Sequence, residues 1–201
     1  MDLFDLQNQP VQLSMPDADV TYYPGFFDFN IANRLFDNLS KSIEWQQDTI
    51  TIYGKKIAQP RLTALYANNN KTYSYSNIKM VPHPFTDDLL AIKQTIEKHI
   101  QATFTTCLLN LYRDGQDSNG WHADDEKELG NTPTIASVSF GEERWFHFKH
   151  KNQKNLKKKI LLQHGSLLVM KGDTQQKWLH QIPKTKKVLK PRINLTFRII
   201  K

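Results

Sequence analysis

His122-Ala123-Asp124 sets an imidazole and a carboxylate two residues apart, and on an extended segment both side chains project to the same side. Such a pair can share one metal ion. His180, in Trp178-Leu179-His180, lies far along the chain and can bring a third ligand from another strand. Two histidines and one carboxylate form the facial set of non-haem iron(II) oxygenases, which leaves positions open for oxygen and an oxidisable cosubstrate. The same ligand types also suit a hydrolytic zinc centre, so the triplet by itself leaves two chemistries standing. The other histidines, His83, His99, His147, His150 and His164, have no carboxylate at that spacing and read as surface or structural residues.

The strand after the last histidine separates the two chemistries. In Arg192-Ile193-Asn194-Leu195-Thr196-Phe197-Arg198, a period of two puts Arg192, Asn194, Thr196 and Arg198 on one face. Leu109-Asn110-Leu111-Tyr112 groups Asn110 with Tyr112 in the same way. An ordinary amphipathic strand turns its polar side to water, and on pattern alone that reading prevails. Two arginines on one face also clamp a dicarboxylate, because guanidinium and carboxylate meet in a bidentate fork. A zinc hydrolase needs no such pair beside its metal.

The elements that must position these residues are legible from periodicity. Ile31, Leu35, Phe36, Leu39 and Ile43 recur at helical spacing, with Asp28 or Asn30 as N-cap. Thr86-Asp87-Asp88 opens a second helix carrying Leu89, Ile92, Ile96 and Ile100. Strand patterns occupy Val20–Tyr23, Phe104–Arg113, Ile135–Phe140, Trp145–Lys149, Lys159–Gln163, Ser166–Lys171, Trp178–Ile182 and Arg192–Ile200. A mainly β, α+β domain follows: a sandwich or barrel with the N-terminal helices on one face. Residues 1–18 read as a polar arm, and 19–201 as one domain without repeats or interior linkers.

At 201 residues, 39% hydrophobic and 11% aromatic, the chain has enough apolar mass for a single core. A net charge of +7 favours a polyanionic partner. The single cysteine, Cys107, excludes a disulfide framework and reads as a small buried hydrophobe. No run reaches the ~18 apolar residues of a membrane span, and Met1-Asp2-Leu3-Phe4-Asp5 lacks the marks of a secretory signal. An intracellular monomer is expected, cytoplasmic in a bacterium or nuclear in a eukaryote, with no membrane partner.

The order His122-Ala-Asp124, His180, then Arg192-Ile-Asn-Leu-Thr-Phe-Arg198 closely resembles the AlkB family of iron(II)- and 2-oxoglutarate-dependent nucleic-acid dealkylases. The resemblance runs from Tyr53 to Ile200 and takes in Pro60-Arg61-Leu62-Thr63, Tyr73-Ser74-Tyr75-Ser76, Asn110-Leu-Tyr112, Ala136-Ser-Val-Ser-Phe-Gly141 and His164-Gly-Ser-Leu-Leu168. Asp124-Asp125-Glu126 and Ser137-Val-Ser-Phe-Gly141 look most like the animal members that repair DNA. The resemblance implies a double-stranded β-helix (jelly-roll) core, with His122, Asp124 and His180 binding iron(II). It implies that Asn110 and Tyr112 contact 2-oxoglutarate, that Arg192 pairs with its distal carboxylate, and that Asn194, Thr196 and Arg198 complete the pocket. Oxygen and 2-oxoglutarate would then drive oxidative demethylation of 1-methyladenine and 3-methylcytosine in DNA, releasing formaldehyde, succinate and CO2. The alternatives are the same chemistry on RNA or another substrate class, or a catalytically silent nucleic-acid-binding barrel.

For the substrate, the resemblance implies a recognition lid over residues 53–80. Tyr75, with Tyr73 and Ser74, would cover a flipped base whose other side meets His122. Asp125 and Glu126 would reach the exocyclic edge of the base, with Arg61 nearby. Tyr53-Gly54-Lys55 would form a wedge loop, an aromatic ring filling the gap left by the extruded nucleotide and a lysine meeting phosphate. The lysine-rich stretch Lys149–Lys159 matches a basic hairpin that grips the backbone, contacts that give affinity without reading sequence.

Overall fold

The computed structural model describes residues 9–52, 54–68, 73–75, 78–187 and 189–200, without the side chains of residues 51, 52, 73–75, 78 and 79. Strands β1 (Val11–Gln12) and β2 (Asp19–Tyr23) precede helix α1 (Phe29–Ser42). Then come β3 (Thr49–Ile52), β4 (Lys55–Ala58), β5 (Leu62–Ala67), β6 (Tyr73–Tyr75), β7 (Ile78–Met80), β8 (His83–Pro84) and helix α2 (Asp87–Ile100). The rest of the chain adds β9 (Thr106–Tyr112), β10 (Asn119–His122), β11 (Ile135–Gly141), β12 (Arg144–His150), β13 (Lys157–Leu162) and β14 (Ser166–Lys171). A one-turn helix, α3 (Thr174–Lys177), leads into β15 (Trp178–Ile182), and β16 (Arg192–Arg198) closes the series.

Two sheets carry the fold. The major sheet has the order β1-β2-β14-β11-β16-β9-β5-β8, and the minor sheet β10-β15-β12-β13. The major sheet is buried on both sides. One side packs Cys107, Leu109, Val138, Leu167, Ile193, Leu195 and Phe197 against Ala32, Leu35 and Leu39 of α1 and Leu89, Ile92 and Ile96 of α2. Its other side meets the minor sheet through Leu108, Ile135, Leu168 and Met170 against Phe146, Phe148, Trp178 and Ile182. This is the jelly-roll arrangement, with both helices on the outer side of the major sheet. Each helix is started by a side chain: Asp28 accepts from the N–H of Asn30 and of Ile31, both at 3.0 Å, and Thr86 accepts from Leu89 N at 3.4 Å.

Three features depart from the pattern reading. Residues 9–18 pack on the domain and contribute the edge strand Val11–Gln12, so they are not a separate arm. Val11 pairs with Tyr22, Leu13 and Met15 are buried, and Trp178 Nε1 donates to Pro16 O at 2.8 Å. The expected strands Phe104–Arg113 and Arg192–Ile200 are shorter, at Thr106–Tyr112 and Arg192–Arg198. Strands β3 to β8 and β10 are not among the strand patterns read above; apart from the six-residue β5 they span two to four residues, and β4 is exposed throughout. Gly54 lies in the connection between β3 and β4: its φ is +75°, and Ile52 pairs with Lys55 across it.

Candidate metal centre and cosubstrate pocket

All seven residues of β16 are buried. The polar row of this strand therefore faces the space between the sheets, not water. Its register sets Arg192 opposite Tyr112, Asn194 opposite Asn110 and Thr196 opposite Leu108 on β9. On the other flank Thr196 faces Ser137, Asn194 faces Ser139 and Arg192 faces Gly141 of β11. Gly141 has φ +84°, and a Cβ there would lie 2.5 Å from Pro191 O, so glycine is required where β11 turns away from the Arg192 end. A cavity between the sheets is lined by Asn110, Tyr112, Asn119, His122, Asp124, His180, Arg192, Asn194, Thr196 and Arg198.

At one end of this cavity the three metal-ligand candidates converge. His122 and His180 pair directly across β10 and β15, with ring centroids 4.2 Å apart. One ligand atom from each of His122, Asp124 and His180 lies within 4.8 Å of the other two, and no other such group occurs among the described residues. His122 Nδ1 stands 2.7 Å from Gly120 O; in the tautomer that donates this bond, Nε2 keeps its lone pair for the site. Asn119 Nδ2 stands 3.1 Å from that Nε2. His180 stacks on Phe146 at 5.1 Å between centroids, and burial holds its pKa at about 3, so the ring is neutral.

Burial alone would raise the Asp124 carboxyl. The Arg198 guanidinium, whose Nη2 donates to Oδ1 at 2.9 Å, outweighs that, and the carboxyl is brought down to about 2. Gln175, in α3, accepts the Asp124 backbone N–H at 2.9 Å and so fixes the loop that carries the carboxylate. Two neutral imidazoles and one ionised carboxylate are the protonation states a divalent cation requires, and the donor set fits iron(II).

The other end is built around Arg192. Nη2 donates to Ser139 Oγ at 2.8 Å, while Nε and Nη1 have no hydrogen-bond partner among the described residues although the side chain is fully buried. Burial lowers this guanidinium to about 10, and the neighbouring Tyr112 phenol offsets part of that shift. The Tyr112 ring lies under two cations, Arg192 at 5.2 Å and Arg144 at 5.7 Å from its centroid. Unpaired N–H groups on a buried cation are costly unless an anion meets them. A carboxylate from a small ligand fits that demand. Asn194 Nδ2 donates to Ser137 Oγ at 2.8 Å, and Thr196 Oγ1 donates to Asn194 Oδ1 at 3.0 Å, so the row between the two arginines is held internally.

The remaining expected residues fall in different places. Arg61 is turned inward: buried, it donates from Nε to Asn110 Oδ1 at 2.7 Å and from Nη1 to Ser118 O at 3.1 Å. It therefore holds Asn110 from the side of β5, with its charge near His122. Asp125 is exposed and pairs with Lys151 at 2.9 Å; Glu126 precedes the 3-10 turn Lys127–Leu129. Gly54 and Lys55 form the β3–β4 turn and the start of β4, both exposed. Tyr73, Ser74 and Tyr75 make up β6, paired with β7, but their side chains lie outside the described residues, as does Tyr53 altogether. Gln175, Ser139 and Arg144 were missed. Ser137 and Ser139 could have been found from their own period of two on β11, which puts them on one face.

Comparison with known proteins agrees with this geometry. The family described as the 2OG-Fe(II) oxygenase superfamily matches residues 19–198. Mouse alpha-ketoglutarate-dependent dioxygenase alkB homolog 3 is 40% identical over 190 residues, covering 90% of this chain and 66% of that protein. Human DNA oxidative demethylase ALKBH2 is 38% identical over 179 residues, covering 84% of this chain and 69% of that one. The chain thus spans about two thirds of the length of these curated relatives. A solved structure, "The structure of OsALKBH1", shares the fold with a TM-score of 0.64 at 17% identity, covering 93% of this chain and 100% of the other.

Proposed function

The chain belongs to the 2OG-Fe(II) oxygenase superfamily, and from that premise we propose that it demethylates N-alkylated bases, 1-methyladenine and 3-methylcytosine, in DNA. The observation that carries the reading is the pairing of a His122-Asp124-His180 cluster with a buried, half-satisfied Arg192 in one cavity. The substrate class is supported by relatives named as DNA oxidative demethylases, at 37% identity over 210 residues in Arabidopsis and 38% over 179 in human. A net charge of +7 suits a polyanionic substrate.

His122, Asp124 and His180 would hold iron(II), and Arg192 would receive the distal carboxylate of 2-oxoglutarate, with Asn110, Tyr112 and Asn194 lining the same cavity. When bound, the metal and cosubstrate supply an oxidant made from O2, and 2-oxoglutarate leaves as succinate and CO2. The chain's own residues do the positioning. Arg198 pairs with Asp124, so the carboxylate stays ionised despite its burial. Phe146 packs against His180 and keeps bulk water from that ligand. The alkylated base must leave the stack to reach so enclosed a site, and a base that cannot pair is cheaper to extrude. Its methyl carbon is hydroxylated and departs as formaldehyde, restoring the base.

The test is a demethylation assay on matched single- and double-stranded DNA and RNA carrying one 3-methylcytosine, supplied with iron(II), 2-oxoglutarate and O2. The reading predicts loss of the methyl group from DNA with one formaldehyde and one succinate per base restored. Succinate formation that no alkylated strand stimulates would contradict it.

A further inference from the structure

The outward face of the minor sheet carries a second constellation that the metal centre does not use. Along β12, Trp145, His147 and Lys149 alternate with the buried Arg144, Phe146 and Phe148. On the neighbouring strand, Lys157 pairs with Lys149, Lys159 with His147 and Leu161 with Trp145. Trp121, next in the chain to the ligand His122, points away from the cavity to this side. Its ring receives the Lys149 ammonium at 4.4 Å, and the Trp145 ring receives Lys159 at 5.0 Å. Both indoles remain exposed, at 39% and 45%. The groove between Trp121 and Lys157–Lys159 has no carboxylate in its lining.

We propose that this face is a stacking platform for single-stranded nucleic acid, the stretch of strand flanking the base held at the metal. Trp121 and Trp145 take bases, and Lys149, Lys157 and Lys159 take phosphates. The proposal rests on the reading that the substrate is a nucleic-acid strand. Same-face residues on a strand repeat every ~6.7 Å, so Trp145 and Lys149, with Trp121 beside it, stand about 13 Å apart, room for more than one nucleotide. A lysine over an exposed indole is a weak contact, and a stacked base outweighs it. An arriving base displaces the ammonium, which is then free for the adjoining phosphate. Flat rings interleaved with cations are the recurrent make-up of sequence-tolerant single-strand sites. Continuity with the active site comes from β10: it is the edge of the minor sheet, and Trp121 and His122 are its adjacent residues on opposite faces. A strand leaving the cavity mouth beside His122 crosses that edge onto Trp121.

The experiment compares the full chain with Trp145→Ala/Lys159→Ala, both checked for equal thermal midpoints. The probes are fluorescent single strands of 5 and 15 nucleotides, each with or without one central 3-methylcytosine. The expected result is that the wild type binds the 15-mers more tightly than the 5-mers, whether modified or not. The double variant loses that gain, about 10-fold, the usual worth of one stacked base. Trp145→Phe, which keeps a ring, retains most of it, and Lys159→Ala alone lowers the salt slope of 15-mer binding by about 0.7. Equal 15-mer affinity in the folded double variant overturns the platform. So does an equal dependence on Trp145 and Lys159 for vesicles of mixed anionic and neutral phospholipid, which would assign the face to a lipid surface. Wild-type turnover on the modified 5-mer is read separately. Its absence counts against the dealkylase reading, whereas binding of the unmodified strands still decides the platform.

Discussion

The two ends of β16 carry the same side chain in opposite situations. At Arg198 the guanidinium meets a carboxylate of the protein itself, Asp124, at 2.9 Å. At Arg192, six residues earlier on the same polar row, Nε and Nη1 meet no acceptor among the described residues. Both are buried, at 3% and 1% exposure. A buried pair is near break-even but ruinous to break, while a buried charge without its partner is a standing cost. One end of the strand is therefore finished by the fold, and the other is finished only by a ligand. The difference separates what holds the metal site together from what the cosubstrate completes.

The largest effect that can test this contrast is at the metal end. Alanine at His122, Asp124 or His180 is expected to bring 2-oxoglutarate turnover to background with the secondary structure retained, read by succinate release and circular dichroism. Full activity in Asp124→Ala would remove the metal end from the comparison.

Arginine-to-methionine exchanges then divide the two ends by sign. Arg198→Met leaves the Asp124 carboxylate buried without its cation and should cost the ligand-free protein about 3–5 kcal/mol in denaturant unfolding. Arg192→Met removes a cation that has no full complement of acceptors, so the ligand-free protein should unfold at the same denaturant concentration or higher. Saturating 2-oxoglutarate should stabilise the wild type through linkage and leave Arg192→Met unmoved. Equal destabilisation by the two exchanges would break the contrast.

A smaller effect is expected from the scaffold of the Arg192 end. Asp117 accepts from Arg113 N, Nε and Nη2, and Arg144, whose guanidinium lies over Tyr112, donates to Asp117 O at 2.9 Å. Asp117→Asn should cost roughly 1–2 kcal/mol at neutral pH and weaken 2-oxoglutarate a few-fold, with metal affinity unchanged. Burial pushes this carboxyl up, but the Arg113 bonds more than offset it, so its pKa is depressed. Its contribution is therefore complete above the unfolded value of about 4 and fades as pH falls below that. Wild type and variant should converge in acid; a gap that persists there would show that charge is not what the pair contributes. Smallest of all, Lys151→Ala should shift stability by no more than about 0.5 kcal/mol, because Asp125–Lys151 is an exposed pair.

Much of this arrangement was legible in the sequence because β16 alternates strictly, and a polar residue at every second position shows its face at once. What alternation could not say is which side of the sheet water occupies. That is decided by the minor sheet closing over Asn194 and Thr196. Gln175 was not legible because it acts on a backbone N–H from a four-residue helix, where neither period has room to develop. The direction of Arg61 was not legible, because its place in a motif gives none; the structure turns it inward onto Asn110, across the β5–β9 register. Residues 9–18 look polar and most of them are exposed, yet Leu13 and Met15 are buried and anchor the segment to the core.

The claim that most needs testing is that Arg192 is completed by the distal carboxylate of 2-oxoglutarate. Anaerobic iron(II)-loaded protein can be titrated with 2-oxoglutarate and with pyruvate, a 2-oxo acid lacking that carboxylate, in wild type and Arg192→Met. The account predicts one 2-oxoglutarate per wild-type chain, an affinity loss of about 100-fold or more in the variant, and no change for pyruvate. An unchanged dissociation constant for 2-oxoglutarate in the folded, iron-loaded variant would contradict it.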